Sequence, residues 1–302
     1  MGADFVAFSL PPMLIGLFAA LACAIPGNFL MLRRQAMLGD AISHVVLPGI
    51  VVAFLLTGSI ATWAMMLGAG AAAMVAVGMI EGIRRLAGID SGAAMGVTFT
   101  TMFALGVLLL ERSGAGTMHL DVEHALYGSL ESLIWLDATG WASLADPVAL
   151  AGLPPELGQM AGVAGLIALA AFVFWRPLRM ATFDEGHAAV LGLPVRAISL
   201  GLVAASAMAC VAAFTAVGSI LTIAMLICPP ATARLLTDRL EVQMGLSLAI
   251  AAVAALGGYL VAGYGPQMVG LSGSVSAAGM MAALSGVMLA LAAAFGPHRK
   301  AG

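Results

Sequence analysis

"ISLGLVAASAMACVAAFTAVGSILTIAMLICPPATARLL", residues 198–236, contains a single charged side chain, Arg234. A helix needs about 20 apolar residues to cross the roughly 30 Å hydrocarbon core of a bilayer. This run is long enough to do so twice, and we place spans at 198–216 and 218–236. The rest of the chain agrees with it. Of 302 residues, 62% are hydrophobic and only 9% are charged, against about 25% charged in a soluble domain. Further spans are expected near 12–32, 36–57, 61–80, 94–111, 160–177, 244–262 and 274–295. The expected fold is all-α, a polytopic transmembrane helical bundle of about nine spans, or eight if 198–236 is broken differently. Barrel strands are excluded, because they would alternate in hydropathy at every second residue.

Basic residues set the orientation. In this threading Arg33, Arg34, Arg84, Arg85, Arg176, Arg179, Arg196, Arg234, Arg239, Arg299 and Lys300 share one side, and only Arg112 lies on the other. The positive-inside rule makes the first side cytoplasmic, so the N-terminus is expected outside and the C-terminus inside. The early run "PPMLIGLFAALACAIPG" has no Lys or Arg before Arg33 and reads as a first span rather than a secretion signal. Apolar segments recur from end to end, which predicts one membrane domain over 1–302. Cys23, Cys210 and Cys228 sit in apolar runs at unrelated spacings and form neither a CxxC pair nor a disulfide framework.

Two connections exceed simple turns. An external acidic segment, 112–159, carries Asp121, Glu123, Glu131, Asp137, Asp146 and Glu156. A cytoplasmic loop, about 178–197, begins a short helix at Asp184 and Glu185, where carboxylates complement free amides, and ends it at "GLP", 192–194. Gly and Ala crowd the third span ("GAGAAAMVAVG", 68–78), as close helix packing in lipid requires.

The chemistry concentrates in "LRRQAMLGDAISHVVLPG", residues 32–49. If the second span starts near Gln35, Asp40 and His44 lie about 8 and 14 Å along it, one turn apart on one face. An ionisable group at that depth costs about 2.5–3.5 kcal/mol or more, so it normally faces a cavity or a partner. A carboxylate and an imidazole converging on one point suit a divalent metal. A proton relay, or a pair that merely satisfies itself, fits the same two residues. Pro48 lacks the amide that would bond the carbonyl of His44 and frees an oxygen on that face. Pro229 and Pro230 likewise free the carbonyls of Met225 and Leu226, and all three prolines are candidate helix breaks.

These residues resemble the signature of the membrane-spanning permeases of bacterial ATP-binding-cassette (ABC) importers for zinc, manganese and iron. Two more blocks match in order: "MGVTFTTMFALGVLLLER", 95–112, and the stretch from "FDEGHAAVLGLPVRA" through "PPATARLLTDR", 183–239. The resemblance implies a multi-pass permease of the bacterial inner (cell) membrane. It implies three kinds of partner besides lipid: a second copy of the chain, two cytoplasmic ATPases and an extracytoplasmic metal-binding protein. It assigns the membrane metal position to Asp40 and His44, and the ATPase-coupling loop to about Thr182–Val195, including Phe183, Asp184, Glu185 and Gly192. The metal is cargo, with no tightly bound cofactor. The external stretch "ASLADPVALAGLPPELGQM" is longer than the family pattern.

Independently, a phosphate-binding loop needs a lysine after its glycines, and the only lysine is Lys300. This chain is therefore not expected to be an enzyme, and nothing in it points to nucleic acid. "HLDVEH", 119–124, offers His119, Asp121, Glu123 and His124 as a candidate external metal relay, or as a solvated polar face. The rival reading is an ion-coupled secondary transporter with Asp40 and His44 as its proton relay. An intramembrane enzyme is disfavoured, since the chain lacks HExxH and Gly-x-Ser-x-Gly motifs.

Overall fold

The computed structural model describes residues 4–35, 38–58, 62–112, 130–268, 270 and 275–297, and at Asp40 and a few neighbouring positions the backbone only. Its helices are α1 (Leu10–Leu32, entered through a π-helical turn at Phe5–Ser9), α2 (Leu38–Thr57), α3 (Thr62–Ala87) and α4 (Ser91–Arg112). After these come α5 (Pro147–Ala151), α6 (Pro155–Val173), α7 (Trp175–Phe183) and α8 (Glu185–Val190). The chain ends with α9 (Val195–Leu236), α10 (Leu240–Met268) and α11 (Ala277–Phe295). Among the described residues, 7 helices are long and apolar enough to cross a membrane, and α2 carries a shorter apolar stretch, Pro48–Thr57.

Helix α9 has 42 residues, about 63 Å at 1.5 Å per residue, twice what a bilayer needs. Its backbone departs from helical geometry at Gly218, with φ 81° and ψ 171°, a conformation essentially closed to residues with a Cβ. The two halves meet where the hydropathy of 198–236 places the boundary between spans. The breaks expected at prolines are not there: α2 runs on through Pro48 and α9 through Pro229 and Pro230. Proline's fixed φ is helical, and what it removes is a hydrogen bond rather than the helical path. The carbonyl that Pro230 leaves unbonded, that of Leu226, lies against Gly27 of α1, so close that a Cβ there would overlap the oxygen. Only the weak Cα–H donor of a glycine fits that space.

The chain divides into two compact units. One comprises Met1–Asn28, Glu123–Ala170 and Ala213–Gly302, the other Phe29–Val122 and Ala171–Ala212. In the first, part of the long acidic segment folds onto the π-helical turn around the fully buried Trp135, which packs with Val6 and Ala149. The Trp135 indole N–H donates to the Ala149 carbonyl (2.7 Å), and its backbone N–H donates to the Ala7 carbonyl (2.8 Å). A buried amide network ties α1 to α10. Gln243 Nε2 donates to Asn28 Oδ1 at 3.0 Å, and Asn28 Nδ2 donates to Ser247 Oγ at 2.9 Å. Such bonds hold helices together where apolar burial in lipid supplies no drive.

In the second unit α2 and α3 pass with their backbones touching. A Cβ on Gly68 would overlap the Gly49 carbonyl oxygen, and one on Gly49 would overlap that of Gly68. Ala53 and Ala72, each four residues on, continue the two small-residue faces. The packing expected of the third span's glycines thus belongs to Gly68, while Gly70 and Gly78 have nothing within 4 Å.

The exit of α1 sets up the site that follows. Gln35 N–H bonds the Leu30 carbonyl (2.8 Å) and Arg34 N–H bonds that of Met31 (3.0 Å), with Arg34 left-handed at φ 58°. This is a Schellman ending with arginine where glycine is usual. Arg34→Gly is expected to stabilise the protein by about 1 kcal/mol by relieving that conformation, read as a higher unfolding temperature in detergent. An unchanged or lower temperature would mean that the arginine side chain offsets the strain.

Candidate functional site

Gln35 is not helical, and the described part of α2 starts at Leu38. Asp40 lies in α2. His44 lies further on, about 6 Å along the helix from Asp40. The pair is one turn apart, on one face of the helix.

The His44 imidazole sits between two phenylalanines of α4. It stacks on Phe99, with centroids 5.1 Å apart and planes at 26°, and meets Phe103 edge to face at 5.5 Å and 83°. Phe99 and Phe103 are four residues apart and so share a helix face. Together they fix the plane of the ring. Pro48, one turn beyond His44, is buried. Among the described residues no three His, Cys, Asp or Glu side chains converge.

The loop between α7 and α9 is built as its sequence suggests. Asp184 caps α8, its Oδ1 accepting from the His187 N–H at 2.8 Å. Glu185 opens the helix and Gly192 closes it at φ 78°, where Leu193 N–H bonds Ala188 O and Gly192 N–H bonds Ala189 O, both at 3.0 Å. Around this short helix Phe183, Val190 and Leu191 are 59%, 86% and 55% exposed. Three bare apolar side chains beside polar backbone form a surface that a partner would cover.

Arg33 links the loop to the entrance of α2. Its Nε donates to Thr182 Oγ1 at 3.2 Å and its Nη1 to Ser199 Oγ at 2.7 Å, so it grips the chain on both sides of α8. Burial pushes the guanidinium below its ordinary pKa, and the charge of Glu185 draws it back up. No local pattern signals this role, since Arg33's partners lie 149 and 166 positions away. Phe99 and Phe103 do carry a signal, their spacing of four in "FTTMF", although their pairing with His44 is tertiary. His119, Asp121, Glu123 and His124 lie outside the described residues.

The profile of the ABC 3 transport family matches residues 6–138 and 150–295. The chain belongs to that family. The unmatched residues, 139–149, overlap the turn at Trp141–Ala145, the start of α5, and the first part of the stretch 142–160 read as longer than the family pattern. The chain is 39% identical over 282 residues to the manganese transport system membrane protein MntD of Bacillus subtilis, covering 93% of this chain and 90% of that protein. It is 37% identical over 286 residues to the zinc transport system membrane protein TroD of Treponema pallidum, covering 94% of this chain and 73% of that one. Among solved structures, PsaBC from Streptococcus pneumoniae in complex with Fab matches with a TM-score of 0.76 at 26% identity, covering 97% of this chain and 93% of that one. This ABC 3 protein is a multi-pass protein of the bacterial inner membrane, as its apolar helices and these relatives require.

Proposed function

We propose that the chain is the permease subunit of an ABC importer for a divalent transition metal, Zn²⁺, Mn²⁺ or Fe²⁺, and that it acts as one permease domain. The observation that carries this reading is the match, over nearly its whole length, to membrane proteins of manganese and zinc transport systems. Asp40 and His44 form the transient metal position, with His44 supplying nitrogen and Asp40 supplying charge. Two ligands per chain are completed by water or by the same pair in a second copy, since closed two-fold association is the commonest symmetry. The remaining partners are an extracytoplasmic binding protein that delivers the ion and two ATPases. The chain hydrolyses no ATP itself, because it lacks the lysine-bearing phosphate loop.

Each ATPase docks on the loop from Thr182 to Val195, whose exposed apolar side chains surround α8. This is tested at Gly192. Gly192→Leu forces a side chain into a left-handed position, at a cost of about 1–2 kcal/mol, and tilts the end of α8 with nothing nearby to clash. Metal uptake by cells is expected to fall about tenfold, with the permease still inserted at normal levels. Uptake at the original rate in cells lacking every ABC ATPase would overturn the reading and leave the ion-coupled carrier in its place.

A further inference from the structure

Within the second unit a cleft of about 810 Å³ opens beside Arg33 and α8. Arg33, Arg84, Arg85 and Arg196 line it, against two carboxylates, Glu81 and Glu185. Glu81 is already engaged by Arg84 (2.9 Å) and Arg85 (2.5 Å). Arg196 has no ion-pair partner among the described residues, and the Nη2 of Arg33 is buried without an acceptor. Among the described residues the cleft therefore carries four arginines against two carboxylates, and one buried donor, the Nη2 of Arg33, without an acceptor.

Position says what kind of anion fits. All four arginines stand at the ends of membrane helices: Arg33 just past α1, Arg84 and Arg85 in the last turn of α3, and Arg196 in the first turn of α9. That is the depth of lipid headgroups on the cytoplasmic side. Below them the walls are apolar and run along the same helices, with Val77 and Ile80 on α3, Met95 on α4, and Leu200 and Val203 on α9. A phosphate at the arginines with an acyl chain along those walls satisfies both halves of the lining. A soluble anion would satisfy only the first. Basic pockets between membrane helices on the cytoplasmic side are a recurring form of headgroup site.

We propose that this cleft binds an acidic glycerophospholipid of the inner leaflet, with its phosphate held by Arg196 and Arg33. The lipid would sit against Gly186 and Ala189 of α8, so its occupancy bears on the loop proposed to receive the ATPase. The assignment of the cleft does not depend on which cargo the protein carries.

The test is native mass spectrometry of the full-length protein in detergent, titrated with phosphatidylglycerol, phosphatidylcholine or inorganic phosphate. Phosphatidylglycerol should be retained well above phosphatidylcholine, and excess inorganic phosphate should not displace it. Arg196→Gln touches no ion pair and should weaken phosphatidylglycerol retention about fivefold, the worth of one arginine near a headgroup. Arg239→Gln, outside the cleft, should retain lipid as the unaltered protein does. Equal retention of the two lipids, displacement by inorganic phosphate, or equal behaviour of the two variants would overturn the proposal.

Discussion

Gly68→Ala is expected to destabilise the protein by about 3 kcal/mol, while the same substitution two residues away, Gly70→Ala, leaves stability unchanged or improves it by up to about 1 kcal/mol. The contrast follows from what the added methyl meets. At Gly68 it overlaps the Gly49 carbonyl oxygen and comes within 2.5 Å of the Ala53 Cβ. Neither atom can turn aside, because one is backbone and the other has no rotamer. Helices α2 and α3 must therefore separate, loosening the packing among Val45, Ala72, Ala76 and Met102, and overpacking a fitted contact costs about 1–3 kcal/mol. At Gly70 the methyl meets nothing within 4 Å, which leaves only the helix preference of alanine over glycine. Denaturant unfolding in detergent reads both variants on one scale. Equal stabilities would show that α2 and α3 do not pass at these glycines.

The second large effect is on transport. His44→Ala and Asp40→Asn are each expected to lower metal uptake at limiting metal by about tenfold or more, because even supporting groups around metal ligands are worth about 10–100-fold. Both variants should remain folded, since each removes an ionisable group from lipid rather than adding one. Phe99→Leu separates holding the ring from binding the ion. It keeps apolar bulk beside His44 but loses the stacking face, so uptake should fall by less than in His44→Ala. Radiolabelled metal uptake, normalised to inserted protein, measures all three. Uptake lost equally in Phe99→Leu and His44→Ala would assign His44 a packing role.

The spans are readable from sequence because lipid demands long uniform runs, and the boundary inside 198–236 is readable because one helix of that length would overshoot a bilayer. The prolines mislead, since their cost falls on a hydrogen bond whose loss Gly27 accommodates from another helix. The pattern does not show that an arginine, where glycine is usual, takes the left-handed turn at the exit of α1. Composition points to close packing in the third span but does not distinguish Gly68, which touches a neighbour, from Gly70, which does not. That depends on which face α2 presents, and a strip of glycines and alanines has no strong polar side to reveal it. Asp40 and His44 stand out by their rarity in lipid. The phenylalanines that hold His44 do not, because in such a chain an apolar residue at helical spacing is the background.

Reconstitution decides whether metal moves through this chain at the expense of a separate ATPase. Proteoliposomes holding the purified chain, its matched ATPase and the metal-binding protein should accumulate Mn²⁺ or Zn²⁺ only when ATP is supplied on the ATPase side. Accumulation should be unaffected by collapsing a proton gradient and should drop by at least about tenfold in the Asp40→Asn/His44→Ala double variant. Uptake that needs a proton gradient and not ATP, or that proceeds at the original rate in the double variant, would refute ATP-driven passage at Asp40 and His44.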